Sequence, residues 1–94
     1  MKAVVYRKSK GLVFEEVPTL QIDEDQILIK VSNTGFCVSD HSLVETEGTP
    51  DGIILGHEVS GRVVGCGTSV AGIEKGLKVI VRPTACGSCW GCRI

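Results

Sequence analysis

No apolar run in this sequence approaches the about 18 consecutive residues that a bilayer-spanning helix requires, although hydrophobic residues make up 43% of the chain. No membrane partner is expected. A basic stripe is missing too. The ten Lys and Arg are scattered among eleven Asp and Glu, for a formal net charge of -1, whereas nucleic-acid phosphates demand a clustered positive footprint. No nucleic-acid partner is expected either. The opening residues 1–8 carry charge but neither a continuous apolar stretch nor a small-residue cleavage site, so they do not read as a secretory leader and a cytoplasmic location is expected. The sequence shows no internal repeat, low-complexity tract or interdomain linker.

What is present is a series of short strand patterns. Residues 3–6 and 11–17 are β-branched and aromatic runs separated by Lys and Gly, as in a hairpin, and Pro18 ends the second. Over 26–31, Ile27, Ile29 and Val31 fall on one face and Lys30 and Ser32 on the other, the period of a half-buried strand. Residues 38–45 suit a helical turn or two, with Ser39 or Asp40 as N-cap and Gly48 as a stop. A turn-rich loop over 47–52 leads to further strand patterns over 57–64 and 78–82, the last closed by Pro83. Short strands punctuated by twelve glycines predict a mainly β, all-β barrel or sandwich with at most one or two short helical turns. A chain of 94 residues makes one small domain. Such a domain buries only a little over ~60% of its unfolded surface, so help from metal or partners is expected.

Two motifs invite a chemical reading. Gly65-Cys66-Gly67 begins like a dinucleotide fingerprint, but its third glycine is missing and the loop-like residues 68–76 do not open a helix, so these glycines read as turn residues. Cys86-Gly87-Ser88-Cys89-Trp90-Gly91-Cys92 is stronger. Five cysteines without a secretory context point to metal ligands rather than disulfides. Gly and Ser between three of them make a turn that can present all three sulfurs to one ion. A structural zinc lobe and a ferredoxin-type iron–sulfur site share this start, and both want a further cysteine that does not follow Cys92 here. The motif therefore reads as cut short, and the chain as a piece of something longer. Upstream, Cys37, Ser39, Asp40 and His41 are followed some twenty residues later by His57 and Glu58. Singly each has an ordinary role as core thiol, cap or surface group. Together a thiol, an imidazole and a carboxylate to hold that imidazole are the parts of a Cys/His zinc site.

In this order and spacing the residues resemble the zinc-dependent medium-chain alcohol dehydrogenases, specifically their N-terminal GroES-like catalytic domain. The features that carry the resemblance are Met1-Lys2-Ala3, Glu16-Val17-Pro18, the stretch from Gly35 through Cys37 to Asp40, the stretch from Leu55 through His57 and Glu58 to Gly61, Val70, the stretch from Lys75 to Val79, and the triple cysteine. All 94 residues are covered. The resemblance implies a partly open GroES-like barrel over residues 1–94, with a nicotinamide-binding Rossmann domain outside this chain. Cys37 and His57 match two ligands of a catalytic zinc, with Glu58 as an acidic neighbour of the metal. Cys86, Cys89 and Cys92 match three of four ligands of a structural zinc, so both sites are incomplete here. Ser39 matches the hydroxyl that takes the alcohol's proton, and Asp40 the carboxylate that orients the imidazole. The usual relay histidine position is Ser42, with His41 one residue earlier, so His41 either serves as the outer end of the relay or is an idle surface imidazole. Gly76-Leu77 and Thr19-Leu20 also depart from the family's pattern, as packing changes.

The expectation is thus the N-terminal portion of a zinc enzyme that transfers hydride between an alcohol, polyol or sugar hydroxyl and NAD or NADP. The chain alone is expected to be inactive, with homo-oligomers formed only by the intact enzyme. The alternative is a stand-alone zinc- or iron–sulfur-binding module with a structural or interaction role.

Overall fold

A computed structural model describes residues 1–81 and 88–93. Among them the elements run β1 (Lys2–Arg7), β2 (Gly11–Glu16), β3 (Ile27–Gly35), α1 (Val38–Glu45), β4 (Glu58–Cys66), β5 (Lys78–Val81) and α2 (Trp90–Arg93). The mainly β architecture follows from the strand periods, and it is built as two open sheets. β1 and β2 form the hairpin, in register from Lys2 opposite Glu16 to Arg7 opposite Gly11. Gly11 enters the second strand at φ +73, a conformation that glycine adopts without a steric penalty. The second sheet is antiparallel in the order β3-β4-β5.

Two irregularities set the phase of that sheet. Leu28 pairs with Gly65 and Ile29 with Val63, so Val64 is extra on β4; Val31 pairs with Gly61 and Asn33 with Ser60, so Ser32 is extra on β3. Directly opposed residues share a face, which puts Ile29, Val31 and Thr34 with Val59, Gly61 and Val63 on one side. Asn33 and Gly35 lie with Ser60 and Glu58 on the other. The first side carries the packing: Val63 is 1% exposed, and a side chain at Gly61 would strike the Lys30 carbonyl and Ile29. The remaining core residues, Val5 and Tyr6, belong to β1.

The hairpin is fastened to the segment between α1 and β4. Tyr6 N–H donates to the Ile53 carbonyl and Gly52 N–H to the Tyr6 carbonyl, each at 2.8 Å, and Val5 bridges to Ile54. Beside this short ladder Arg7 donates to Glu15 at 2.8 and 2.6 Å and to Asp51 at 3.2 Å, while Asp51 also accepts the Lys8 N–H at 2.9 Å. The strand that begins the chain therefore holds the approach to Gly56 and His57.

Several boundaries differ from the sequence reading. β2 closes at Glu16, although Val17 N–H still donates to the Met1 carbonyl at 2.7 Å. β3 continues to Gly35 because the polar residues Asn33 and Thr34 have Ser60 and Val59 to pair with. β4 starts at Glu58, leaving His57 just outside it, and runs to Cys66. The cap of α1 is neither Ser39 nor Asp40 but Cys37, whose backbone is extended at φ -87 and ψ 158. Asp40 sits at the third helical position and reaches back to the cap. The helix ends at Thr46, where Thr46 and Thr49 hydroxyls donate to the Ser42 and Leu43 carbonyls at 2.7 and 2.5 Å; Gly48 lies beyond.

Gly65 and Cys66 are not turn residues as the sequence reading had them but the end of β4, paired with Leu28 and Ile27, and the turn starts only at Gly67, whose carbonyl accepts the Val70 N–H at 3.1 Å. Gly67 N–H donates to the Gln26 carbonyl at 2.8 Å, and a Cβ at Gly67 would collide with the carbonyls of Asp23 and Glu24. β5 ends at Val81, and the predicted extension to 82 lies outside the described residues, as do Pro83 and Cys86. Among the described residues no helix is long and apolar enough to cross a membrane.

Candidate metal centre

Cys37, His57 and Glu58 are drawn together by the ends of three elements. Cys37 caps α1, His57 immediately precedes β4, and Glu58 begins β4 opposite Gly35 at the end of β3. Their potential ligand atoms all lie within 4.8 Å of one another. Among the described residues this is the group of thiol, imidazole and carboxylate able to hold an ion. An open depression of about 550 Å³, lined by Gly35, His57, Glu58, Ile80 and neighbours, adjoins it. A larger one of about 710 Å³ on the same sheet, between Arg62 and Lys78, lies away from this chemistry.

Asp40 fixes the arrangement. Its side chain is 2% exposed, yet every part of its charge is answered. Oδ2 accepts the Cys37 N–H at 2.9 Å, Oδ1 accepts the Gly56 N–H at 3.1 Å, and Oδ1 also lies 3.4 Å from His57 Nδ1. One carboxylate thus clips the backbone beside the thiol to the backbone beside the imidazole. Gly56 can turn its N–H inward because it sits at φ +111. With Nδ1 engaged by Asp40, Nε2 is the ring nitrogen left for a metal, the usual carboxylate–histidine arrangement.

The electrostatics agree with a donor set. Asp40 is held below the ordinary carboxylate range, first by the Cys37 N–H and then, against its burial, by the Gly56 N–H and His57. The Cys37 thiol is lowered, chiefly by hydrogen bonds from the Ser39 hydroxyl and backbone and also by His57, while burial and the Glu58 charge oppose this. On His57 partial burial is the largest single influence and pushes its pKa down. The charge and hydrogen bond of Asp40, together with Cys37, outweigh it and leave the imidazole above its usual value. A thiol inclined to ionise beside an imidazole and a carboxylate fits Zn²⁺, which binds thiolate, neutral imidazole and carboxylate.

The other residues singled out from sequence fall as follows. Ser39 is exposed in the first turn of α1 and addresses Cys37 by hydrogen bond, a contact that sequence reasoning did not supply. His41 lies outside the cluster: its Nδ1 is 3.6 Å from Glu45 Oε2 one turn along the helix, with both side chains exposed. Cys89 and Cys92 are joined by the short turn of α2, Cys92 N–H donating to the Cys89 carbonyl at 3.2 Å, while Cys86 lies outside the described residues. Cys66, the remaining cysteine, is partly buried and donates from Sγ to the Ile73 carbonyl at 3.5 Å. Gly56 and Gly35 complete the surroundings of the centre. Both stood in stretches that carry the family resemblance, Gly56 directly before His57 and Gly35 two residues before Cys37, but neither was singled out as a site residue.

Known proteins share this framework. The chain is 38% identical over 96 residues to zinc-type alcohol dehydrogenase B of Aspergillus flavus, covering 99% of this chain and 22% of that protein. It is 33% identical over 99 residues to sorbitol dehydrogenase of Bacillus subtilis, covering 99% of this chain and 28% of that one. Among solved structures, a protein of Sinorhizobium meliloti 1021 assigned as a zinc-binding dehydrogenase, bound to NADP, superposes with a TM-score of 0.84 at 33% identity over 98% of this chain and 28% of that one. The chain spans between a fifth and a third of the length of these relatives. Residues 23–94 match the family model of the alcohol dehydrogenase GroES-like domain. With that match spanning most of its length, the chain belongs to the alcohol dehydrogenase GroES-like domain family.

Proposed function

We propose that residues 1–94 are the N-terminal catalytic portion of a zinc-dependent oxidoreductase that moves hydride between an alcohol, polyol or sugar hydroxyl and NAD or NADP. The observation that carries this reading is the convergence of Cys37, His57 and Glu58 donor atoms within 4.8 Å, with the buried Asp40 carboxylate behind His57. The sorbitol-oxidising relative and the NADP-bound neighbour support the substrate and cofactor classes. In this reading the nicotinamide is bound outside residues 1–94, the intact enzyme is a cytoplasmic homo-oligomer, and this portion alone is inactive.

Cys37 and His57 would hold the catalytic zinc, with Glu58 beside it, and Cys86, Cys89 and Cys92 would contribute to a separate structural zinc. When bound, the catalytic ion would supply Lewis acidity, which makes the proton of a substrate hydroxyl easier to remove. Asp40 keeps the imidazole in one tautomer and one orientation. Ser39, in the first turn of α1, can accept the substrate proton and pass it on, since a hydroxyl both donates and accepts. His41, on the exposed side of the same helix, is the candidate for returning that proton to solvent.

The test is made on the whole protein. Zinc content is measured alongside reduction of NAD and NADP with simple alcohols and sorbitol, for wild type and for Cys37→Ala and His57→Ala. Each variant should lose one zinc per chain together with the activity. A zinc content unchanged by both substitutions, or a protein with bound metal and no nicotinamide-dependent oxidation of any hydroxyl compound, would contradict the reading and favour a stand-alone metal module.

A further inference from the structure

Gly35 ends β3 and is paired directly with Glu58, the first residue of β4. A glycine within a strand is unfavourable unless backbone or space requires it, and it often marks a close approach of another group. Backbone does not require it here. Gly35 is not among the glycines with positive φ, in contrast to Gly11 and Gly56. Space does: a Cβ built on Gly35 would overlap Glu58 Oε2, and it would come within 3.2 Å of Glu58 Cβ and 3.4 Å of Cδ. The carboxylate therefore lies folded across the bare Cα of Gly35, and from that seat it reaches the Cys37 and His57 ligand atoms.

We propose that Gly35 is a positioning residue, whose missing side chain is the seat that holds the Glu58 carboxylate at the metal centre. This rests on the functional reading above, since it assigns Glu58 a place at the metal. The overlapping atom is the far end of a flexible, solvent-exposed side chain. An added methyl group can be accommodated by swinging the carboxylate away. The cost of Gly35→Ala then falls on the site and not on the fold.

The experiment compares four forms of the intact protein: wild type, Gly35→Ala, Glu58→Ala and the double variant. Zinc affinity is read by chelator competition, the coordination sphere by the visible spectrum of the cobalt(II)-substituted protein, and folding by thermal melts. Gly35→Ala should weaken zinc binding about tenfold, in the range for groups that orient or adjoin metal ligands, and should shift the cobalt spectrum toward that of Glu58→Ala. In the Glu58→Ala background the same glycine substitution should add nothing. An equal loss in both backgrounds, or no loss in either, overturns the proposal. So does a Gly35→Ala protein that fails to fold and is not recovered by Glu58→Ala. Zinc binding by wild type that survives Cys37→Ala and His57→Ala would instead reject the functional reading, so the two failures are told apart.

Discussion

The Asp40 carboxylate, 2% exposed, stands 3.4 Å from His57 Nδ1 while both of its oxygens accept backbone N–H groups from the segments flanking the site. Neutralising it should therefore disturb metal binding and histidine titration together. Asp40→Asn should lower zinc affinity by roughly 10- to 100-fold, the usual cost of losing a ligand's orienting partner. Because Asp40 raises the His57 pKa, the imidazole resonances of the metal-free variant should titrate at lower pH than in wild type. Unchanged affinity with an unchanged titration would separate Asp40 from the centre.

Ser39 has two roles to test at once. In the intact protein Ser39→Ala should reduce turnover by roughly 10²-fold or more, the range for a general acid–base group, with zinc content preserved. In the metal-free protein the same change removes the largest influence that lowers the Cys37 thiol. Alkylation of Cys37 near neutral pH should then slow, whereas that of Cys66, bonded to the Ile73 carbonyl, should not. Full turnover in Ser39→Ala would exclude the relay; an unaltered alkylation rate would exclude the contact.

The Arg7 clasp makes stability sensitive to acid. Glu15 is held below its ordinary pKa by its hydrogen bond with Arg7, and Asp51 by the Lys8 N–H and then Arg7. Lowered folded-state values contribute stability above the unfolded carboxylate range, and that contribution is lost as pH falls through the folded values. Melting temperature should thus fall below about pH 4, where ordinary carboxylates titrate. Arg7→Gln should melt a few degrees lower at neutral pH and lose less on acidification, as seen by circular dichroism. Parallel acid limbs for the two proteins would discount the clasp.

Gly67 separates a close-packed role at the end of β4 from a phosphate cradle. Since a Cβ there meets two backbone carbonyls that cannot swing aside, Gly67→Ala should destabilise the protein by about 1–3 kcal/mol, as overpacking usually does. Denaturant unfolding measures this, and nicotinamide affinity in the intact protein should not change. A stable variant with weakened nicotinamide binding would reverse the assignment.

The strand runs were legible because Ile27, Ile29 and Val31 alternate with polar neighbours, a signal contained in a few consecutive residues. The continuation of β3 through Asn33 and Thr34 was not, since those residues become strand only by pairing with Ser60 and Val59 across the sheet. The candidate ligands Cys37, His57 and Glu58 stood out in the sequence as residue types in a familiar order. What the sequence could not show was the closure between them: Asp40 accepting from Gly56 sixteen positions on, and Glu58 lying over Gly35. The N-cap was misplaced for a related reason. Ser39 and Asp40 are both good caps, but Asp40 one turn inside can serve the cap residue and the loop before His57 at once, which favours starting the helix at Val38.

The extra residue at Ser32 acts as a parity switch. Upstream of it the odd-numbered positions Ile29 and Val31 face the packed side of the sheet; downstream the even-numbered Thr34 does, which turns Gly35 toward Glu58. Were the ladder to run on without this bulge and with Ser32 retained, Ser32 would stand opposite Ser60 and Thr34 opposite Glu58, and the two faces would be exchanged for everything between Val31 and α1. The bulge is thus what brings Gly35, and not Thr34, opposite Glu58, so the bare Cα beside the candidate centre is set by an irregularity three residues upstream of it.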